Sequence, residues 1–306
     1  MRILINIVIM IFMATLPPTD MGTTRESPDS EASQQPLFSF GIISDVQYCD
    51  CEPFNTRYYR NSTEKLSEAM SAFSDFSPAF ILNLGDLIDR DYGSFATVLD
   101  IMNQSPARIY HCLGNHDFSV AARDARKVNQ ITGSKTGYYS FAIEGFRFIV
   151  LNGTEAATYS ARAADRKLGE KMLSNLEAAS APNAQIWNGG VGPDQLEWLV
   201  KELNQSVSAN EKVFMVCHFP VFPVSAFNLF NSEEILEIME RYDNIIAWFN
   251  GHNHDGNYGN RSMVHFVTFR GMVETPSTNS FAIVEVYSNK LWIKGSGRGK
   301  SQILAY

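Results

Sequence analysis

The sequence predicts an α/β fold, a four-layer αββα sandwich whose chemistry lies at one edge, where strand ends meet. Three observations point there. Short apolar runs rich in Phe, Ile and Val alternate with longer segments of helical period, the signature of strands joined by helices. The last third is strand-rich and is expected to form a second sheet. Most of the apolar runs stop just before an Asp, Asn or His, so polar donors collect where strands end.

The first strand, Phe38 to Ser44, runs into Asp45-Val46-Gln47. Asn61, with Glu64 three residues on, is expected to cap and support a helix reaching about Phe76. The second strand, Phe80 to Leu84, ends in Gly85-Asp86-Leu87-Ile88-Asp89, and the third, Ala107 to Cys112, in Gly114-Asn115-His116-Asp117. Phe146 to Asn152 is the fourth. The connection from Asn152 to Asp194 is long, polar and Ala-rich as far as Ile186-Trp187-Asn188-Gly189-Gly190. Long connections are often binding loops, so Trp187, Asn188 and Gly189 are expected to line a substrate cleft; the alternative is a plain turn before the next helix. Pro193 and Asp194 open that helix, which runs to about Val207. Strand Lys212 to Cys217 stops on His218, and strand Ile245 to Asn250 runs into Gly251-His252-Asn253-His254. Met263 to Phe269, Phe281 to Tyr287 and Leu291 to Lys294 are the strands of the last third. Gly85, Gly114 and Gly251 sit where the chain turns off a strand, and the missing Cβ gives ligands close approach.

Carboxylate, amide and imidazole donors converging from separate strand ends make a rigid cation site. Such N/O donors suit Mn²⁺, Fe or Zn²⁺, and no cysteine stands at the matching positions to make a soft thiolate site. One ion takes Asp45, Gln47, Asp86 and His254, its neighbour Asp86, Asn115, His218 and His252, with Asp86 as the bridge. Two divalent ions roughly 3.5–4 Å apart suit an in-line displacement at phosphorus, because together they neutralise the phosphate oxygens. His116, one residue beyond Asn115, is the candidate general acid toward the leaving oxygen. Asp89 and Asp117 are placed to orient that imidazole or a ligand histidine. His111 and His265 lack a supporting motif and are assigned to packing.

In this order the segments resemble the calcineurin-like metallophosphoesterase superfamily. Phe38 to Gln47, Arg57 to Ser62, Asn188 to Leu199, Val273 to Thr275 and Lys294 to Arg298 are similar to the manganese-dependent ADP-ribose/CDP-alcohol diphosphatase family within it. The likeness runs from Leu37 to about Gln302. Most of the superfamily has a histidine where Gln47 stands, and a neutral amide ligand fits loosely held Mn²⁺. The resemblance implies hydrolysis of the phosphoanhydride in ADP-ribose, CDP-choline and related nucleoside diphosphate compounds. The products would be a nucleoside monophosphate and a phosphorylated sugar or alcohol. Another phosphomonoesterase or phosphodiesterase activity of the same fold is the alternative, since substrate choice lies in loops. The resemblance makes Arg57 a substrate contact, a guanidinium matched to paired diphosphate oxygens, and Phe54 an aromatic for the nucleobase. The segment Tyr48 to Thr56 is shorter than the family's usual loop, and Asn152 stands where the family often has aspartate.

A composition of 45% apolar and 19% charged residues is that of an ordinary globular chain. The net charge of −8 without a basic block argues against nucleic acid as a partner. Arg2 followed by the apolar run Ile3 to Leu16 reads as a signal peptide (1–16), too short to span a bilayer comfortably, so no stable membrane partner is expected. Residues 17–36, rich in Ser, Thr, Pro, Glu and Gln, read as a disordered linker, and 37–306 as a single domain. Secreted or periplasmic location follows if the leader is real, cytoplasmic if it is not. The four cysteines do not make a disulfide framework.

Overall fold

Strand and helix formation follows the apolar periods closely. In the computed structural model, which describes residues 35–306, α1 (Ser62–Phe76) buries Ser62, Lys65, Leu66, Ala69, Met70 and Phe73, one stripe at helical spacing. It ends where Ser77 turns to φ 56° and returns its N–H to the Phe73 carbonyl. Along the chain run β1 (Phe38–Ile43), α1, β2 (Phe80–Asn83), α2 (Ser94–Met102), β3 (Arg108–His111), α3 (Ala122–Ala125), β4 (Tyr139–Ile143), β5 (Phe146–Val150) and α4 (Ala163–Ala178). Then follow α5 (Pro193–Ser208), β6 (Lys212–Val216), α6 (Ser232–Met239), β7 (Ile245–Asn250), β8 (Asn257–Arg261), β9 (Val264–Thr268), β10 (Ser280–Val286), β11 (Lys290–Gly297) and β12 (Gln302–Ala305).

The strands pair into two six-stranded sheets, ordered β12-β11-β10-β1-β2-β3 and β4-β5-β6-β7-β9-β8. Within the first, β1, β2 and β3 are parallel and β10 runs antiparallel to β1. Within the second, β5, β6, β7 and β9 are parallel. Alternation along each strand assigns its side chains to layers. Phe40, Phe80, Phe148, Phe214 and Phe249 meet between the sheets, the Phe40 and Phe80 rings stacked 5.1 Å apart. Ile149, Met215 and Trp248 face the other way, onto Leu199 and Leu203 of α5 and Ile235 of α6. Ile43 and Ile81 pack on α1 and α2. These three apolar layers make the αββα sandwich.

Several expectations need correction. The strands of the last third do not form a sheet of their own. Instead β9 extends the parallel run of one sheet, while β10, β11 and β12 complete the other beside β1. Asn61 stands at the start of α1, but its side chain does not cap the helix; its amide donates to the Pro276 carbonyl. The connection from 152 to 194 contains α4, whose buried residues are only Gly169 and Leu173, too narrow a stripe to show as periodicity. Cys49 and Cys51 are paired as a disulfide across one residue, while Cys112 and Cys217 are free and buried. The expected leader, and all but the last residues of the expected linker, lie outside the described residues. Pro36–Tyr306 form one compact unit.

Candidate functional site

Strands β1, β2 and β3 of one sheet and β6 and β7 of the other point their C-terminal ends to one side, and the loops leaving them carry the predicted donors. Those loops are tied to one another by backbone bonds. The N–H of Asp45 donates to Gly85 O, that of Gln47 to Asp86 O, that of Gly251 to His218 O and that of Val273 to Asp45 O. The ties hold unusual backbone: Asp45, Gln47, Asp86 and His252 have φ of 52°, 45°, 56° and 69°. Left-handed backbone at residues with a Cβ is strained by roughly 1–3 kcal/mol each and persists where the surroundings over-determine it, which is typical of functional sites. Gly114 and Gly251 are required for a different reason. A Cβ on Gly114 would collide with the Asp86 carboxylate, and one on Gly251 with the Ser44 hydroxyl and the Asp45 carboxylate.

The side chains converge. Asp86 Oδ2 lies 3.1 Å from His218 Nε2 and 3.2 Å from Gln47 Nε2. On one side Gln47 Nε2 is 3.1 Å from His254 Nε2, which is 3.3 Å from Asp45 Oδ1. On the other His252 Nδ1 is 3.2 Å from His218 Nε2, and donor atoms of Asp86, His218 and His252 all lie within 4.8 Å of one another. Asp45, Gln47, Asp86 and His218 are fully enclosed. Two buried amide oxygens here, Gln47 Oε1 and Asn115 Oδ1, have no hydrogen-bond partner. An orphaned buried carbonyl is costly unless something else takes its lone pairs. Two unsatisfied amide oxygens, two carboxylates and three imidazoles fit divalent cations that accept N/O donors.

Electrostatics say the same. Burial pushes the Asp45 carboxyl up, but His254 and His218 outweigh it and hold it below the ordinary range. Asp86 is likewise held low, against its burial, by His218 and His116. The acids in turn raise His218 and His254 to about 9 against the opposing effect of burial. Burial and the neighbouring His218 push His252 well below the ordinary value. Mixed charge of this density in a buried space is the setting a metal relieves.

Around this cluster the other predicted residues divide. His116 donates its backbone N–H to Asp86 Oδ1 at 2.7 Å, and its ring turns outward, with Nε2 3.3 Å from Arg57 Nη1 and Nδ1 3.1 Å from Asp89 Oδ1. Asp117 does not reach the imidazole. Its carboxylate accepts the backbone N–H groups of Asp86, Leu87, Ile88 and Gly114, fixing the loop that carries Asp86. A cleft of about 360 Å³ is lined by Gln47, Arg57, Asp86, Asn115, His116, Trp187, Phe227, His252 and His254. A larger cavity of about 490 Å³ beside Arg126 and Lys135 gathers no such set of converging donors.

Three expected substrate contacts are not in that lining. Asn188 is fully buried behind the cluster, its Oδ1 2.9 Å from His252 Nε2 and its amide nitrogen bonded to the carbonyls of Asn183 and Ala226. Gly189 lies beside it, its carbonyl accepting the Phe230 N–H. Phe54 is 59% exposed, its backbone paired with that of Arg57. Sequence reasoning missed Phe227, whose ring stands 5.7 Å from that of His252, and Glu274, whose Oε1 accepts from His254 Nδ1 at 2.7 Å. Glu274 lies in the Val273 to Thr275 segment that carried part of the resemblance; Phe227 had no signal. His111 and His265 lie away from the cluster, His265 bonding Tyr258 and the Ala305 carbonyl.

The profile of the calcineurin-like phosphoesterase family matches residues 38–256. The manganese-dependent ADP-ribose/CDP-alcohol diphosphatase of Homo sapiens is 31% identical over 92% of this chain and 97% of its own length. The Xenopus laevis protein of the same name is 30% identical over 90% of this chain and 93% of its own. A dimetal phosphatase from Danio rerio superposes with a TM-score of 0.81 at 25% identity, covering 89% of this chain and 100% of the other. Strand-end donors gathered around Asp86, a profile match across most of the domain and full-length relatives together place this chain in the calcineurin-like phosphoesterase family, among the relatives of the manganese-dependent ADP-ribose/CDP-alcohol diphosphatases.

Proposed function

We propose that this chain is a manganese-dependent hydrolase that cleaves the phosphoanhydride of ADP-ribose, CDP-choline and related nucleoside diphosphate compounds. The products are a nucleoside monophosphate and a phosphorylated sugar or alcohol. The observation that carries the reading is the Asp86 carboxylate, shared between a Gln47–His254–Asp45 group and a His218–His252 group, with the Gln47 and Asn115 amide oxygens left without partners. Asp45, Gln47, Asp86 and His254 would hold one ion, and Asp86, Asn115, His218 and His252 the other. When bound, the pair supplies positive charge to the phosphate oxygens and activates the attacking water.

The remaining steps belong to the chain's own side chains. Arg57 presents a guanidinium to the diphosphate oxygens, and its fork geometry suits a pair of them. His116 protonates the leaving oxygen, with the Asp89 carboxylate 3.1 Å from its Nδ1 on the other side of the ring. Trp187 and Phe227 give the cleft apolar walls against which a nucleobase or its ribose packs. Asn188 and Glu274 keep His252 and His254 in register from the far sides of their rings.

The test is a side-by-side assay of ADP-ribose, CDP-choline, cyclic AMP and p-nitrophenyl phosphate on chelator-stripped protein with and without Mn²⁺. Mn²⁺-dependent turnover of the first two, releasing AMP and CMP, is expected. Turnover confined to the last two would replace this reading with a phosphodiesterase or phosphomonoesterase of the same fold.

A further inference from the structure

The segment Met272 to Thr275 lies between the two halves of the site. On one side the N–H groups of Met272 and Val273 donate to the carbonyls of Ser44 and Asp45, at 2.9 Å each. On the other the Val273 carbonyl accepts from Tyr58 at 2.9 Å, the Thr275 N–H donates to Thr56 O at 3.1 Å, and Glu274 bridges to Arg57. Glu274 also holds His254 through its side chain. One short segment therefore sets both the His254 imidazole and the stretch carrying Arg57.

The conformation of that segment has a cost. Thr275 sits at φ 64°, and the carbonyls of Met272, Glu274 and Thr275 converge on a single point behind it. Converging carbonyl dipoles in a buried place repel one another unless a donor or positive charge sits at the focus. The occupant is Lys65, on the buried stripe of α1 and only 3% exposed. Its Nζ donates to Met272 O, to Glu274 O at 3.0 Å and to Thr275 O at 3.1 Å. The chain just beyond the segment is tied to the same turn of helix, since Asn279 donates to the Lys65 carbonyl at 2.7 Å. Burial and Arg298 pull the Lys65 ammonium down to about 8, which leaves it charged at neutral pH. Apart from Ser62, the other residues of the stripe, Leu66, Ala69, Met70 and Phe73, are apolar, so packing alone calls for no ammonium there.

We infer that Lys65 is a positioning residue: by gathering three carbonyls it fixes the 272–275 segment, and through it the orientation of His254 by Glu274 and the presentation of Arg57 to the cleft. The inference rests on the dinuclear reading of the site. An uncharged side chain at 65 leaves the carbonyls to splay, which frees His254 from its carboxylate partner and lets Arg57 drift from His116.

Lys65→Met keeps length and removes charge; Lys65→Gln, which keeps a donor, serves where the Met variant does not fold. Calorimetric titration of Mn²⁺ into chelator-stripped protein is expected to show affinity weakened by about 10-fold or more, the usual scale when a metal ligand loses its orienting partner. KM for ADP-ribose is expected to rise by a larger factor than kcat falls. Met70→Ala, on the same buried stripe, supplies the control: it should lower Tm yet leave Mn²⁺ affinity within about twofold, because it removes packing without touching the segment. Wild-type Mn²⁺ affinity and KM in a folded Lys65 variant, or an equal loss of affinity in Met70→Ala, overturns the assignment. Because Mn²⁺ affinity is read without turnover, this outcome is separate from the substrate test, in which inactivity of wild-type protein on ADP-ribose and CDP-choline would count against the proposed function alone.

Discussion

His116 and Asn115 are adjacent in sequence, yet the structure sends them to different tasks. Asn115 leaves an orphaned amide oxygen among the candidate ligands, while the His116 ring faces Arg57 and Asp89. His116→Ala should therefore retain both ions but lower kcat by about 10²-fold or more, the scale of lost acid catalysis. Metal analysis of the variant decides: depletion comparable to that of Asp86→Ala would make His116 a ligand instead. His111 illustrates the opposite case, a histidine kept neutral by its surroundings. Burial lowers its imidazole to about 4, from 6.5 in the ordinary case. Between those values the unfolded chain holds a proton that the native state refuses, so stability falls as pH drops from 6.5 toward 4 and does not depend on this group above 6.5. Urea unfolding at pH ~7.5 and ~5 should differ by about 1–2 kcal/mol more in wild type than in His111→Gln.

At the level of elements, β1 is the strand on which most depends. It lies between β10 and β2, its C-terminal end delivers Asp45 and Gln47, and Phe40 in its centre touches rings from both sheets. Phe40→Ala should cost about 3–5 kcal/mol in urea unfolding, the range for a large aromatic removed from a packed core. A loss under about 1 kcal/mol would mean that the two sheets do not close on this ring. Elements of this kind were legible because burial on both faces writes itself as a continuous apolar run. The edges were not. The β8 sequence NYGNR is polar because an edge strand has a solvated side, β12 is four residues long, and β4 is half-exposed along its length. The assignment of the last strands to their sheets was also hidden, since periodicity reports which residues are buried but not which strand they pair with. The same limit applied at the site. Donors that end strands were visible as types and positions, whereas Asn188, Glu274 and Lys65 act through contacts with residues tens to hundreds of positions away.

Across the whole molecule, the candidate ligands come from both sheets: Asp45, Gln47, Asp86 and Asn115 follow β1, β2 and β3, whereas His218, His252 and His254 follow β6 and β7. Ions held by this set would join the two sheets at the edge where the parallel strands end. Without them, the two buried carboxylates rely on hydrogen bonds from Gln47, Ser44 and backbone N–H groups and on His218 and His254, whose imidazoles they raise, and the amide oxygens stay unsatisfied. The stability of this protein should accordingly depend on Mn²⁺. A ligand that binds only the folded state at about 100 times its Kd adds roughly 2.7 kcal/mol per site. For a domain of this size that corresponds to a rise in Tm of at least about 5 °C per site. Differential scanning fluorimetry of stripped protein titrated with Mn²⁺ measures it directly. Asp86→Ala, which removes the shared carboxylate, should lose most of the Mn²⁺-induced rise, while His116→Ala should keep it. A Tm that does not respond to Mn²⁺ in the wild-type protein would mean that the strand-end donors close on one another rather than on cations.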